Sequence, residues 1–274
     1  AYNPNRNEYC ITWQSGYLIK WRRLDSTGAV IGSEMTISDN SSGHHFSRVC
    51  YNSARQEYLI EYVVWMADDS HQVRLLRVDA TTGNQIGSPI FLYATGMVST
   101  TQGIWVAYSP TSNSYLATFE AASEGGIVYG RILDSTANPV GSTFRISPVG
   151  QQYSRNPVIA WNSASNEYMV TYQGYIAEPS WDYWAQRIRA SDGALLGANL
   201  AITTTHSSDT GGVVYDPVMN RYLVVYGGGG GSYSPSGQFV SASGSLVGSR
   251  FAIGVGSLFG WGPNVCWDSS KKEF

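Results

Sequence analysis

The chain alternates short apolar runs with polar turns, in a pattern that returns about every 53 residues. In the segment WNSASNEYMVTY, an aromatic residue precedes a polar turn, a second aromatic follows seven positions later, and a third follows four positions after that. Residues after the turn alternate with a period of two, which predicts β-strands. The first aromatics of the copies lie at Tyr2, Tyr51, Tyr108, Trp161, Tyr215 and Trp267.

Each repeat divides into four predicted strands. A short apolar strand such as Val213–Tyr215 precedes the polar turn, and an alternating strand such as Tyr222–Tyr226 follows it. After a loop of variable length comes a third strand, then a second turn rich in Asp, Asn and Gly, which suit the positive φ angles of hairpins, and a fourth strand. The third strands are predicted at Leu18–Leu24, Val73–Val78, Ile127–Leu133, Trp184–Ile188 and Gln238–Val240.

The repeat unit resembles that of the β-propeller repeat proteins. It reads as an aromatic residue and Asn, a turn, Glu-Tyr, an apolar strand, Arg-Leu-Asp and a glycine turn, as in YNSARQEYLIEY from Tyr51 and GRILDSTANPVG from Gly130. Within that group it is most similar to bacterial secreted and cell-surface propellers, without the signatures of WD, kelch or sialidase repeats. The resemblance implies an all-β fold of four-stranded antiparallel blades, forming a single domain over residues 1–274, and an extracellular or cell-surface location.

The number of blades depends on the last stretch of the sequence. Five complete repeats precede Pro263–Phe274, which carries the first turn of a sixth. Two arrangements remain open, a six-bladed ring whose last blade is incomplete here and a five-bladed ring with a surplus first strand. We favour six blades, because an extra apolar strand with its own turn is hard to place once five blades have closed and buried their strand edges.

Charge and hydrophobicity argue against nucleic acid as a partner and against a membrane span. Only 14% of the residues are charged, the formal net charge is −3, and Lys and Arg form no cluster, so the chain lacks the basic patch of a nucleic-acid-binding protein. No apolar run reaches the ~20 residues that cross a bilayer, which predicts no membrane span. The three cysteines have no CxxC spacing, and we expect them to be small buried residues.

Candidate binding residues come from one set of loops. In a propeller, the connections from second to third strand and from one blade to the next share one face, here called the variable face, because these loops differ between repeats. The hairpin turns on the opposite face are nearly uniform. Divergent loops on a rigid scaffold are the usual place for binding residues. The candidates are Trp65, Asp68, His71, Tyr153, Arg155, Tyr175, Trp181, Asp182, Tyr183, His206, Tyr233 and Trp261.

The connection Gln173–Trp184 is the most aromatic of these loops. Trp184 is expected to belong to the third strand and pack in the core, which leaves Trp181 and Tyr183 as the better binding candidates. Flat aromatic faces beside carboxylates such as Asp182 suit sugar rings, and large aromatics also make protein contacts.

Metal binding has little support in the sequence. His44, His45, His206 and Asp209 fall in variable-face connections, but adjacent histidines in a strand point to opposite sides and no metal-ligand spacing is present. Phosphate-binding loops and hydrolase motifs are also missing. The sequence therefore predicts neither a metal nor a cofactor.

Catalysis of glycoside cleavage needs two carboxylates across a cleft. Glu61 and Asp182 are the candidates, Glu61 because other repeats carry Thr or Val at its position. One unusual acid is no catalytic pair, and the sequence favours a binding protein over an enzyme.

Three functions follow from the sequence. The leading hypothesis is a lectin-like adhesion or interaction propeller that recognises carbohydrate or a protein surface ligand through its aromatic loops. The alternatives are a polysaccharide-cleaving hydrolase or lyase, and a structural module of a larger adhesin or filament.

Overall fold

The computed structural model describes residues 1–37, 43–67, 70–95, 103–121, 125–175, 181–203, 211–227, 235–254 and 262–274. Within these ranges the chain forms five four-stranded antiparallel sheets and no helix, which confirms the predicted blades. In every sheet the strands are ordered as they occur in the chain. No helix in the described ranges is long and apolar enough to cross a membrane.

The strands of blades one to five follow in chain order. Blade one contains β1 (Tyr2–Asn3), β2 (Glu8–Ser15), β3 (Leu18–Asp25) and β4 (Val30–Thr36). Blade two contains β5 (Gly43–Asn52), β6 (Glu57–Trp65), β7 (His71–Asp79) and β8 (Gln85–Thr95). Blade three contains β9 (Ile104–Ser109), β10 (Ser114–Ala121), β11 (Ile127–Leu133) and β12 (Pro139–Arg145). Blade four contains β13 (Tyr153–Asn162), β14 (Glu167–Tyr175), β15 (Asp182–Arg189) and β16 (Leu195–Ala201). Blade five contains β17 (Gly212–Asp216), β18 (Arg221–Tyr226), β19 (Ser236–Ser241) and β20 (Leu246–Ala252).

The polar turn after each first strand is fixed by a side chain. In blade four the Asn162 side-chain oxygen accepts hydrogen bonds from the backbone N–H groups of Ala164 and Ser165, at 2.8 and 3.1 Å. Asn166 then takes a φ of 53°, a left-handed conformation that Asn tolerates better than most residues. The repeated Asn, Asp and Ser residues of the sequence therefore form turns, on the face opposite the variable face.

The last described segment repeats the same turn. Asp268 accepts hydrogen bonds from the backbone N–H groups of Ser270 and Lys271, Lys272 has a φ of 59°, and Asp268 forms an isolated antiparallel bridge with Glu273. Residues 262–274 thus have the first turn of a sixth repeat but no sheet among the described residues. A six-bladed ring stays a prediction.

The aromatic at the start of each second strand is packed between blades. Tyr58, Tyr115, Tyr168 and Tyr222 are at most 1% exposed, and each packs in a cluster with residues of the preceding blade. The Tyr168 hydroxyl also donates to the backbone oxygen of Ser114 in blade three, at 3.2 Å. The equivalent Tyr9 of blade one is 43% exposed.

Two of the cysteines have the environment expected from the sequence. Cys10 is fully buried and Cys50 is packed against the core, but Cys266 is exposed, so the expectation of burial is wrong for Cys266. Cys266 lies in residues 262–274, which form no sheet within the described ranges. All three thiols are free.

The first strands lie next to one another at the centre of the molecule. β5 contacts β9, β9 contacts β13, and β13 contacts β17. The backbone of Asn264 also lies beside Gly212 in β17, since a Cβ on that glycine would be 3.4 Å from the Asn264 Cα. The ends of these central strands, together with the second-to-third-strand connections, position the candidate site.

Candidate functional site

The predicted binding residues lie mostly on strand ends rather than in loops. Trp65 ends β6, His71 begins β7, Tyr153 begins β13 and Tyr175 ends β14. The observed strands are longer than the predicted ones at the variable face. The prediction followed apolar residues, whereas backbone pairing also includes the polar residues at the strand ends. Four further candidates lie outside the described residues: Asp68, His206, Tyr233 and Trp261.

The structure brings four predicted candidates together at one corner of blade four, here called the blade-four cluster: Tyr153, Arg155, Tyr175 and Trp181. The Tyr153 and Tyr175 rings stack with centroids 5.4 Å apart and planes 13° from parallel. Trp181 meets Tyr175 edge-on at 4.7 Å. The Arg155 guanidinium lies 4.1 Å from the centroid of the Trp181 ring, within cation–π distance.

Strand pairing explains why these residues meet. Tyr153 is the direct cross-strand partner of Tyr175, and Arg155 is the partner of Gln173. Directly opposed residues on an antiparallel pair project to the same side of the sheet. The Arg155 Nε donates to the Gln173 side-chain oxygen at 2.7 Å, which holds the guanidinium over Trp181.

The cluster is partly open to solvent. Tyr153 is 43% exposed, Tyr175 is 9% exposed, and Trp181 and Arg155 are half-buried. The Tyr153 ring is therefore the most accessible aromatic ring of the cluster. This combination of an apolar ring surface and a fixed guanidinium can hold a ligand that is apolar on one face and polar at its rim.

Tyr183 is not part of this surface, and its placement in a loop was wrong. It belongs to β15, is fully buried, and stacks on Tyr226 of blade five with centroids 5.7 Å apart. Trp184 is half-buried against the core between blades three and four, as expected, and its Nε1 donates to the Gly174 carbonyl at 3.3 Å. Asp182 begins β15 and is half-buried.

Trp65 and His71 belong to a second aromatic group, between blades one and two. The Trp65 ring stacks on His45 at 4.1 Å and on His71 at 5.1 Å. His45 is 9% exposed, touches Tyr17 edge-on, and its Nδ1 accepts a hydrogen bond of 3.1 Å from the Gln14 amide. His71 lies in strand β7 rather than in the loop where the sequence analysis placed it. Trp65 and His71 thus pack against each other, and their role in binding stays a prediction.

This histidine group predicts a pH-dependent stability. Burial lowers the pKa of His45, and repulsion by His71 and His44 lowers it further. The unfolded chain therefore takes up a proton first as the pH falls below about 6.5. We expect the free energy of unfolding to decrease from pH 7 to pH 5.5, and to decrease less in His45→Phe, which keeps a ring against Trp65. Urea denaturation at several pH values measures both slopes, and equal slopes would contradict this assignment.

A cavity of about 100 Å³ lies where the central strands meet. Arg48 of β5, Trp105 of β9, Asn156 of β13 and Gly211 before β17 line it, together with residues 262–264. Arg48 lies over Trp105, with 4.9 Å between the guanidinium carbon and the ring centroid. Asn156 directly follows Arg155 of the blade-four cluster in β13.

Glu61 lies on the strand beside this cavity. It is the cross-strand partner of Arg48, is fully buried, and neither of its oxygens has a hydrogen-bond partner among the described residues. Burial raises the pKa of Glu61, and the nearby Arg48 charge opposes that rise. Glu61 and Asp182 stand on different blades and neither lines the cavity.

The sequence analysis did not select Trp105 or Asn156. Trp105 lies in an apolar run that is typical of a core strand. Asn156 has a φ of 54° at a β-bulge, where the register of β13 against β14 shifts between Arg155 and Val158. The Asn-Pro pair at residues 156–157 marks an interruption of the strand, which is the only local signal for it.

The described residues offer no metal site, since no group of three or more His, Cys, Asp and Glu side chains among them is close enough to hold an ion. His206 and Asp209 lie outside that part of the chain.

No family model and no curated protein matches this sequence. Solved structures do match: an α-L-arabinofuranosidase from Fusarium graminearum in complex with an iminosugar inhibitor is 12% identical, with 96% of this chain and 82% of that chain covered and a TM-score of 0.66. An α-L-arabinanase from Penicillium chrysogenum complexed with arabinobiose is 13% identical, with 92% and 82% covered and a TM-score of 0.58. A periplasmic gluconolactonase from Pseudomonas aeruginosa is 13% identical, with 88% and 64% covered and a TM-score of 0.56. At such identities the likeness concerns the fold alone, and the fold is a β-propeller.

Proposed function

We propose that this protein is a secreted or cell-surface propeller that binds carbohydrate at the blade-four cluster. The observation that carries the proposal is the convergence of four side chains from three neighbouring segments of blade four. Tyr153 and Arg155 lie in β13, Tyr175 ends β14, and Trp181 directly precedes β15. A sugar ring presents C–H groups on its faces and hydroxyl groups at its edge. The exposed Tyr153 ring suits the face, and the guanidinium suits the hydroxyl groups.

Packing alone explains this cluster less well than ligand binding does. The aromatics that pack between blades are almost completely buried, such as Tyr168 at 0% exposure, whereas Tyr153 is 43% exposed beside a half-buried tryptophan. Two structures with this fold contain a sugar-like ligand, an iminosugar in one and arabinobiose in the other. Both features support carbohydrate as the ligand class.

A glycan array tests the proposal. The labelled protein is expected to retain a restricted set of related glycans, because one composite site on one blade selects one kind of sugar. A blank array, repeated at millimolar monosaccharide by NMR, would contradict carbohydrate binding and leave a protein ligand in its place. Release of new reducing ends from a retained glycan would assign the protein to the cleaving class instead.

A further inference from the structure

The cavity lined by Arg48, Trp105 and Asn156 contains polar groups that have no hydrogen-bond partner among the described residues. Asn156 is 7% exposed, and its side-chain oxygen has no hydrogen-bond partner among the described residues. Buried polar atoms in native proteins nearly always have a partner. Since Asn156 lines the cavity, a group that enters the cavity can supply the missing bond.

Arg48 offers a charge to the same cavity. One of its terminal nitrogens donates to the backbone oxygen of Ser47 at 3.0 Å, but its buried Nε–H finds no acceptor in the described part of the chain. A guanidinium stays protonated in proteins. The Trp105 ring centroid lies 4.9 Å from the guanidinium carbon, within cation–π distance.

Glu61 does not neutralise this charge through a direct contact. The two residues are cross-strand partners, yet no hydrogen bond joins them, since both Glu61 oxygens lack a partner among the described residues. Burial also favours the uncharged form of Glu61, because its pKa is raised. An anion in the cavity would therefore meet the Arg48 guanidinium without competition from a hydrogen bond to Glu61.

We propose that the cavity takes the carboxylate of an acidic sugar, with Arg48 binding the carboxylate and Asn156 accepting a bond from a neighbouring hydroxyl group. A volume of about 100 Å³ holds such a polar group but not a whole oligosaccharide. The rest of the glycan extends out of the cavity toward the blade-four cluster, whose Arg155 directly precedes Asn156 in β13. This inference rests on the proposed carbohydrate binding and adds the class of sugar, a uronate.

Titration calorimetry with trigalacturonate and with its methyl ester tests the inference on the unmodified protein. The two probes differ in charge and share their sugar rings. The acid is expected to bind roughly 10- to 100-fold more tightly, as charge-assisted hydrogen bonds predict. A glucuronate disaccharide and its ester extend the test to a second stereochemistry. Equal affinity of acid and ester in both series would overturn the inference, and it is also the result expected if water alone fills the cavity.

Variants test whether Arg48 is the residue that binds the carboxylate. Arg48→Gln is expected to remove the difference between acid and ester, whereas Arg189→Gln, a side chain that is 51% exposed in a surface ion pair, is expected to keep it. If Arg48→Gln does not fold, Asn156→Asp provides the second test, since its negative charge is expected to weaken the acid more than the ester. Unchanged selectivity in a folded Arg48→Gln protein would also overturn the inference.

The outcomes separate the two proposals. One outcome is that the protein binds neutral glycans, shows no preference for uronates, and loses this binding in Tyr153→Ala. That outcome would leave the proposed function intact and overturn this inference. A protein that binds neither neutral nor acidic glycans would remove both.

Discussion

Tyr168→Ala is expected to lower the free energy of unfolding by about 3–5 kcal/mol, the range for removing a large buried ring. The ring is fully buried between blades three and four, and its hydroxyl donates to the Ser114 carbonyl. Alanine would leave a cavity at an interface that joins two sheets and would remove the hydrogen bond from the Tyr168 hydroxyl to that carbonyl. Urea denaturation followed by tryptophan fluorescence measures the change.

The chain contains its own control for this prediction. Tyr9 occupies the same repeat position in blade one and is 43% exposed, so Tyr9→Ala is expected to cost less than about 1 kcal/mol. Tyr168→Phe keeps the ring and removes only the hydroxyl, which is worth about 1 kcal/mol. Similar losses in Tyr168→Ala and Tyr9→Ala would show that packing between blades does not stabilise the fold in the way described.

Trp181→Ala is expected to weaken glycan binding by roughly 10- to 100-fold, because hot-spot aromatics contribute about 2 kcal/mol or more. Trp181 supports the cluster from two sides, with Tyr175 at 4.7 Å and Arg155 over its ring at 4.1 Å. Its loss removes ring surface and also removes the cation–π contact of the guanidinium. Isothermal titration with a glycan identified on the array measures the affinity.

Stability provides the control for the Trp181 variant. Trp181 is half-buried at a strand end, so its replacement is expected to change the urea midpoint little compared with Tyr168→Ala. A large loss of stability together with weaker binding would point to a packing role, and unchanged binding in a stable variant would exclude Trp181 from the site.

The frame of the molecule could be predicted from local signals. The spacing of the aromatic residues predicted the blades. Residues such as Asn162 and Asn166 predicted hairpin turns, whose geometry depends only on neighbouring residues. These features repeat because every blade is a four-stranded sheet with the same turns and the same packing against its neighbour. Five copies of one pattern carry far more information than one copy.

The site was harder to predict because it depends on strand pairing. The start of β13 is polar in sequence, and only its pairing with β14 shows that Tyr153 faces Tyr175. Tyr183 was misassigned because its burial depends on blade five, where Tyr226 lies against it. Asn156 owes its position to a bulge that is set by the pairing of two strands.

The affinity of Tyr153→Ala for the array-selected glycan, measured beside Tyr2→Ala, tests the central claim most directly. Both residues are exposed tyrosines in contact with a second tyrosine. Tyr2 is 46% exposed, and its ring lies 5.0 Å from that of Tyr9 in a tilted arrangement. If the blade-four cluster is the carbohydrate site, Tyr153→Ala loses roughly tenfold or more in affinity and Tyr2→Ala binds as the unmodified protein does. Equal affinities of the two variants would contradict it.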